Sequence, residues 1–249
     1  MKIRYYSSFN EDFALQRDLD PEKISKIRDS TPGRVSSAVL YRAAVLFGRV
    51  YARLFRGLKA VGGEKLRGTS GAFIYGNHTH ALGDVFIPLV INSPARVKAV
   101  VSRQNLAIPL IGKLIVKADA VLPLPDGVKE LKSFSQMVTD AAKSGRRVLI
   151  YPEAHVWDYC TFIRPFPETS FTYPALCGEP VFVFTSTYRK RRLFRTPGTT
   201  LFVDGPLRAP QELSAKKRAL WLSEKTAEIM RSHADANTQE YIKYVPEEK

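Results

Sequence analysis

The chain has 249 residues, of which 45% are hydrophobic and 25% are charged. This balance is typical of a globular protein of one or two domains and excludes wholesale disorder. Its 38 Lys and Arg residues outnumber its 24 Asp and Glu residues, which gives a formal net charge of +14. The excess predicts a polyanionic partner: nucleic acid, an anionic membrane surface or a phosphorylated substrate.

The first residues of the chain lack the apolar core of a secretory signal. The longest apolar stretch, Val35 to Phe47, is interrupted by Arg42 and is too short to span a bilayer. Only two cysteines, Cys160 and Cys177, are present, and this favours a reduced, cytosolic protein over a disulfide-bonded one.

The N-terminal quarter of the chain divides into two parts. Residues 1–33 are predicted to form a polar arm with one short helix, Pro21 to Arg28. Residues 34–60 carry a helical pattern in which four arginines form one narrow stripe opposite a broad apolar face. These arginines are Arg42, Arg49, Arg53 and Arg56.

Two interpretations of this helix are open. It could pack on the core with its arginines solvated, or it could lie on a membrane with its arginines among anionic headgroups. The absence of acidic residues between Gly33 and Gly63 favours the membrane. We therefore expect a membrane-facing segment at residues 1–60 and a single domain at residues 61–249.

After Gly62 and Gly63, short apolar runs alternate with helical stretches. The predicted strands are Ala72–Tyr75, Val97–Val101, Ala120–Leu124, Val148–Tyr151, Val181–Phe184 and Thr200–Val203. The predicted helices are Asp84–Ile91, Pro109–Val116, Gly127–Lys143, Ser170–Leu176 and Pro210–His233. This alternation predicts an α/β domain with a mainly parallel, mixed sheet flanked by helices.

The densest polar cluster, Gly76 to Asp84, directly follows a predicted strand. Histidine is the natural general base near neutral pH, and a carboxylate can fix its tautomer. Pairing of His78 with Asp84 requires a bend between them, which Gly83 permits, whereas His80 and Asp84 could share a helix face. Two loop histidines that are solvated or cap a helix are the ordinary alternative.

Two further polar segments also follow predicted strands: Ser102–Gly112, and Tyr151–His155. Each is weak evidence alone, because an Ile-Pro pair usually only starts a helix and a Glu after a strand usually caps one. All three segments lie beyond the carboxyl ends of strands of one predicted sheet, where α/β folds place their active sites.

Taken in order, these segments resemble the motifs of the glycerolipid acyltransferase family, typified by lysophosphatidic acid acyltransferases. The first motif, Asn-His with a downstream Asp, is matched by Asn77, His78 and Asp84. The second is matched by Arg103, Leu106, Ile108, Pro109 and Gly112, and the third by Tyr151, Pro152 and Glu153. The segment Pro180–Phe184 is similar to the fourth, so that the resemblance covers Leu58 to Gly205.

The resemblance implies a glycerolipid acyltransferase-like fold and transfer of a fatty acyl group in phospholipid biosynthesis. The donor would be acyl-CoA or acyl carrier protein, and the acceptor a lysophospholipid or glycerophosphate-type hydroxyl. His78 would deprotonate that hydroxyl and Asp84 would orient the imidazole, with Asn77, Arg103 and Glu153 among the binding residues. No metal or organic cofactor is implied, and a peripheral location on the cytoplasmic side of the membrane is expected.

The sequence departs from the family pattern at two places. The His–Asp spacing is six instead of five, so the loop must bulge or His80 must take part. The usual Gly-Thr-Arg of the third motif is replaced by Ala154-His155-Val156. Because the family's Arg holds the phosphate of the acceptor, another cation is needed, and the candidates are Arg164, Arg103 and, more weakly, His155.

Two other functions are also compatible with the sequence. His78, His80, Asp84 and His155 are ligand types for a zinc-dependent hydrolase, although the usual signature places an Asp two residues after the second His. The charge also fits a non-enzymatic basic membrane-binding module. A basic run at Arg189–Arg192 and Arg195 is either a solvated loop or a headgroup contact. No nucleic-acid-binding motif is found, so nucleic acid is not an expected partner.

Overall fold

The computed structural model describes residues 2–13, 34–102, 106, 111–125 and 127–247. The predicted helix Pro21–Arg28 lies outside the described residues, and so do Arg103, Ile108 and Pro109 of the second motif.

The described elements alternate between strands and helices, as the sequence pattern predicted. The strands are β1 (Lys2–Tyr6), β2 (Lys59–Val61), β3 (Ala72–Gly76), β4 (Val97–Val101), β5 (Val121–Pro123), β6 (Arg147–Ile150), β7 (Val181–Arg189), β8 (Gly198–Leu207) and β9 (Ile242–Pro246). The α-helices are α1 (Arg34–Val50), α2 (Gly83–Asn92), α3 (Ile111–Lys117), α4 (Leu131–Lys143), α5 (Thr172–Cys177) and α6 (Ala215–Ala234). A π-helix covers Tyr51–Phe55, and short 3-10 helices cover Gly63–Leu66, Val128–Glu130 and Glu168–Phe171.

Seven strands form one sheet in the order β2-β8-β7-β3-β6-β4-β5. The pairs from β7 through β3, β6 and β4 to β5 are parallel, whereas β8 is antiparallel to β7 and parallel to β2. The sheet is therefore mixed and mainly parallel, which confirms the predicted fold class. The carboxyl ends of β3, β6 and β7 meet at one edge, where the polar segments begin.

Alternate residues of the strands face opposite layers of helices, as the period of two requires. Ile74 and Leu149 pack with residues of α1, α2 and α3 in one core cluster. Phe73 and Val148 pack with residues of α4, α5 and α6 in a second cluster on the other face. The central strands are buried on both faces and therefore appear in the sequence as continuous apolar runs.

Three short strands were missed in the sequence. β1 pairs in parallel with β9 in a separate two-stranded sheet, so the two ends of the described chain lie side by side. β1 alternates charged and apolar residues and is largely exposed, and β2 has three residues that are all exposed. Such segments carry little hydrophobic signal because few of their side chains enter the core.

The N-terminal helix packs on the sheet domain with one face. Tyr41, Ala44 and Ala52 are buried in the same cluster as the sheet. Gly48 allows close approach to α2, because a Cβ at this position would lie 3.0 Å from Val90 Cγ2. This face of the helix is therefore packed on the core of the sheet domain.

The opposite face of α1, which continues into the π-helix Tyr51–Phe55, is apolar and exposed, and we call it the exposed face of α1. Val39, Leu46, Phe47, Val50 and Leu54 expose between 48% and 63% of their surface. Arg42, Arg49 and Arg53 are exposed along one edge of this face. Within the ranges described, no helix is long and apolar enough to cross a membrane.

Arg56 does not belong to the arginine stripe in which the sequence pattern placed it. The residues before it form a π-helix, closed by a hydrogen bond from Arg56 N to Tyr51 O of 3.2 Å, and this wider turn changes the phase of the helix. The Arg56 side chain is 3% exposed and donates to Tyr159 Oη and Thr199 Oγ1 at 2.8 and 3.0 Å. It joins the helix end to the loop beside the predicted site.

The attachment of α1 to the sheet can be tested at Tyr41. Its hydroxyl oxygen accepts a 2.8 Å hydrogen bond from the buried Val97 N–H of β4, and burial raises the pKa of the Tyr41 phenol. Tyr41→Phe leaves this N–H without its acceptor and is expected to lower the free energy of unfolding by about 1–3 kcal/mol. Urea unfolding measures the change. The control is Tyr5→Phe at an exposed position, for which a change below about 0.5 kcal/mol is expected, and equal losses in both variants would contradict the assignment.

Candidate active site

The loop that carries the first motif is held against β7 by Asn77. Its Nδ2 donates to Ser186 O at 3.0 Å and its Oδ1 accepts from Ser186 N at 2.8 Å. Both polar atoms of the Asn77 amide are therefore used within the protein. The expected substrate-binding residue fixes the point at which the chain leaves β3.

His78 and Asp84 form the predicted pair. His78 Nδ1 lies 2.8 Å from Asp84 Oδ2, and both side chains are largely buried. The same carboxylate oxygen accepts the N–H groups of Thr79 and His80 at 3.0 and 2.9 Å. With Asp84 as the acceptor, the neutral imidazole carries its proton on Nδ1, so the Nε2 lone pair can accept another.

The loop accommodates the six-residue spacing by folding around the carboxylate. Asp84 N donates to His80 O at 2.8 Å, which starts α2. Gly83 lets the His80 ring pack closely against the start of this helix, because a Cβ there would lie only 3.0 Å from His80 Nδ1. Of the two arrangements left open by the sequence, the bulged loop is the one observed, and His80 meets the carboxylate only through its backbone.

The His80 imidazole has a different environment. Its Nδ1 accepts the Gly83 N–H at 2.8 Å, and its ring contacts Tyr159 edge-on at 5.4 Å. Burial, assisted by the positive charge of Arg56, lowers the pKa of His80 to about 4. The ring is therefore neutral at pH 7, with its remaining proton on Nε2, and is a poor base.

Tyr151 contacts both His78 and Asp84, a role that the sequence did not indicate. Its ring stacks on the His78 imidazole, with centroids 4.3 Å apart and planes 10° apart. Its hydroxyl donates to Asp84 O at 2.7 Å, and burial raises the pKa of this phenol well above its ordinary value. The available signal was the aromatic residue that opens the third motif.

Glu153 and Arg164 form a buried ion pair behind His78. Glu153 Oε2 accepts from His78 N at 3.0 Å and from the Arg164 guanidinium at 2.7 Å, and Glu153 Oε1 accepts from Arg164 N at 3.0 Å. The guanidinium also donates to the carbonyls of His78 and His155 and lies 4.9 Å from the centre of the Trp157 ring. The pair thus contacts both the N–H and the carbonyl of His78.

This geometry changes the role expected for Arg164. The sequence offered it as an anchor for the acceptor's phosphate, but its side chain is 1% exposed and its guanidinium is held by Glu153 and backbone carbonyls. Glu153, a predicted substrate-binding residue, is likewise fully buried. Both side chains are thus buried beside the backbone of His78, and Nε and Nη1 of Arg164 have no hydrogen-bond partner among the described residues.

The remaining predicted residues lie apart from the dyad or outside the described chain. His155 Nδ1 lies 3.7 Å from Asp12 Oδ2 of the N-terminal arm. Arg103 is not described. The described part of the second motif shows why it contains glycine, since a Cβ on Gly112 would lie 1.8 Å from Leu106 O.

The loop after Glu153 replaces the Gly-Thr-Arg of the third motif and is covered by the chain ends. Ala154 adopts a left-handed conformation with φ of 63°, which glycine adopts more easily. Trp157 is fully buried among Tyr6, Phe13 and Tyr244, and its Nε1 donates to Glu11 O at 2.8 Å. The arm predicted to be polar therefore contributes aromatic packing to this loop.

Neither a metal cluster nor a reactive thiol is found in the described ranges. No group of three or more His, Cys, Asp or Glu residues is placed there to hold a metal ion, so the four ligands suggested for zinc do not converge. Cys160 is buried, its Sγ donates to Phe162 O, and burial raises the pKa of its thiol to about 12. A thiolate nucleophile is not available at this position.

The ion pair predicts a stability effect at Arg164. Arg164→Ala leaves the Glu153 carboxylate buried without its partner and is expected to lower the free energy of unfolding by about 3–5 kcal/mol. Urea unfolding measures it, and Glu153→Gln in the same chain should restore part of the loss. An unchanged stability, with a raised KM for a phosphorylated acceptor alone, would instead support the phosphate-anchor role.

The lowered pKa of His80 predicts that stability falls on acidification. The unfolded chain binds a proton near pH 6.5, whereas the folded ring does so only near pH 4, so the unfolded state binds more protons between these values. The contribution lost as the pH falls from about 6.5 to about 4 is on the order of 2–3 kcal/mol.

Urea titrations across this pH range measure the effect. His80→Asn keeps an acceptor for the Gly83 N–H but does not titrate, so the unfolding free energy of this variant should depend less on pH. Parallel pH profiles for the wild type and the variant would refute the prediction.

Comparison with known proteins supports the fold. A scan against protein-family models and a search of the curated proteins found no match. Among solved structures, the chain is similar to the crystal structure of the 1-acyl-sn-glycerophosphate (LPA) acyltransferase PlsC from Thermotoga maritima. The sequence identity is 14%, the TM-score is 0.59, and the match covers 87% of this chain and 88% of that chain. The chain therefore has the fold of this glycerolipid acyltransferase, as its ordered motifs predicted.

Proposed function

We propose that this protein is an acyltransferase of phospholipid synthesis that moves a fatty acyl group from a thioester donor to a hydroxyl of a lysophospholipid or glycerophosphate-type acceptor. The observation that carries the proposal is the buried His78–Asp84 pair, 2.8 Å apart, at the carboxyl end of a central strand. The similar protein from Thermotoga maritima is an LPA acyltransferase.

The chemistry follows from the tautomer that Asp84 selects. His78 Nε2 removes the proton of the acceptor hydroxyl as its oxygen attacks the thioester carbonyl, and Asp84 stabilises the imidazolium that forms. Collapse of the tetrahedral intermediate breaks the carbon–sulfur bond, and the imidazolium returns the proton to the departing thiolate. No acyl-enzyme intermediate is needed, and a positioned base contributes about 10²–10⁴ in rate.

His80 has a supporting part in this proposal. With Nδ1 occupied by the Gly83 N–H and a pKa lowered to about 4, His80 does not accept the substrate's proton near pH 7. Its Nε2–H is a neutral hydrogen-bond donor in the loop that carries the base. Glu153, Arg164 and Tyr151 serve as positioning residues, because each contacts His78 or the backbone of Asp84.

The exposed apolar face of α1 supports action at a membrane surface. Phe47 and Leu54 belong to this face, with arginines along its edge. Tyr51 stacks on both Phe47 and Phe55 and also contacts the His80 ring at 6.5 Å, so the face adjoins the catalytic loop. We place the protein as a peripheral enzyme on the cytoplasmic side of an anionic membrane, with acyl-CoA or acyl carrier protein as the donor.

The proposal is tested by acyl transfer to lysophosphatidic acid. His78→Ala should lower the rate by about 10²–10⁴-fold because the base is lost, whereas His80→Asn should retain most of the activity. The assay follows a labelled acyl group from acyl-CoA, and separately from acyl carrier protein, into phosphatidic acid.

The chain offers a matched control for this test. His233 Nε2 lies 2.7 Å from Asp204 Oδ2, which is a second His–Asp pair on α6 and β8. His233→Ala should leave the transfer rate unchanged. An undiminished rate in His78→Ala would rule out its role as the base. Activity that disappears with chelators and returns with zinc would favour the hydrolase alternative.

A further inference from the structure

The loop between β7 and β8 ends in an exposed apolar tip. Leu193 and Phe194 expose 85% and 52% of their surface. An exposed pair of this size has no role in the packing of the core. We define these two residues as the apolar tip.

The apolar tip is fixed to the end of the N-terminal helical segment by arginines. Arg191 donates to Phe55 O at 2.7 Å and to Leu54 O at 3.0 Å, and its guanidinium lies 3.6 Å from the centre of the Phe194 ring. Arg189, the last residue of β7, donates to Gly57 O. Because Leu54 and Phe55 are themselves exposed, the apolar tip and the exposed face of α1 form one continuous surface.

The two segments that build this surface carry charge of a single sign. Lys190, Arg192 and Arg195 are exposed beside the apolar tip. No Asp or Glu occurs in residues 180–203 or in residues 34–63. Exposed apolar side chains flanked by cations match an anionic bilayer interface, where the former enter the acyl boundary and the latter meet phosphates.

A nucleic acid fits the same cations less well. It would be held by the lysine and arginines, and a base could stack on Phe194. It would leave the aliphatic Leu193, the more exposed residue of the pair, in water. The observations therefore favour a lipid surface over a nucleic acid.

We propose that the apolar tip inserts into the interface of an anionic phospholipid bilayer as a second contact beside the exposed face of α1. β7 runs parallel to β3, so the loop that follows β7 lies at the edge of the sheet that carries His78. A single helix on a membrane leaves the tilt of the attached domain poorly fixed, whereas two separate contacts fix its orientation. The two contacts together turn the catalytic edge toward the lipid. This inference rests on the proposed function for the choice of lipid substrate. The vesicle-binding measurement tests it without any assay of activity.

The binding test uses the full chain and sedimentation with vesicles of phosphatidylglycerol and phosphatidylcholine, compared with phosphatidylcholine alone. The tip variant combines Leu193→Ser with Phe194→Ser. Its partition coefficient on the mixed vesicles should be about 10–100-fold lower than that of the wild type. The charge variant combines Lys190→Gln, Arg192→Gln and Arg195→Gln, and its partition coefficient should fall by about 10²-fold on the mixed vesicles and little on phosphatidylcholine.

A control is available at the opposite edge of the sheet. Leu176, near the end of α5 and just before the amino end of β7, is 62% exposed. Leu176→Ser should bind vesicles as the wild type does. Circular dichroism and urea unfolding of every variant exclude loss of folding as the cause.

An activity arm separates this inference from the proposed function. In the tip variant, transfer to lysophosphatidic acid embedded in vesicles should fall more than transfer to glycerol 3-phosphate or to a short-chain acceptor below its micelle concentration. Absence of transfer in the wild type on every acceptor would contradict the proposed function, while the vesicle-binding arm would still decide the inference.

Three outcomes would overturn the inference. The first is vesicle binding that is unchanged in the tip variant. The second is an equal loss in Leu176→Ser. The third is binding of the wild type to an RNA oligonucleotide at physiological salt that the charge variant loses, while its vesicle binding stays intact, which would assign the cations to a nucleic acid.

Discussion

One carboxylate oxygen organises the candidate site. Asp84 Oδ2 accepts hydrogen bonds from His78 Nδ1 and from the backbone N–H groups of Thr79 and His80, all within 3.0 Å. These three contacts fold the loop after β3 into its bulge, select the tautomer of His78 and leave its Nε2 lone pair for a substrate. In the proposed mechanism His78 is the base, whereas burial and the positive charge of Arg56 keep His80 neutral, although the two histidines are only two residues apart.

The rest of the molecule secures that loop from behind. The Glu153–Arg164 pair binds the backbone on both sides of His78, and Tyr151 covers the imidazole ring. A buried charge pair is stable only when each partner is present, so this support is cooperative. The paired chain ends cover the loop through Trp157, which links the first and last strands to the site. The fold thereby holds the loop of His78 at the edge of the sheet, next to a surface that carries apolar and cationic groups.

Much of this was predictable from the sequence. The central strands were predicted because their residues form continuous apolar runs, and His78, Asp84 and Glu153 were singled out because their motifs follow such strands. The role of Arg164 was not predictable, because the sequence does not show that a fully buried Glu153 lies within 2.7 Å of it. The burial of Arg56 depends on a π-helical turn, which period-based analysis cannot detect. The strands at the chain ends were missed because their pairing is long-range and their side chains are half exposed.

In the proposed mechanism Asp84 is necessary for acyl transfer and not for the binding of lysophosphatidic acid. The most direct test is a single-turnover measurement of acyl transfer in Asp84→Asn, together with the Kd for lysophosphatidic acid. Asparagine keeps the size of the side chain but removes the charge that stabilises the imidazolium and selects its tautomer. We predict an acyl-transfer rate at least about 10²-fold below that of the wild type, with an unchanged Kd. A rate equal to that of the wild type would contradict the account.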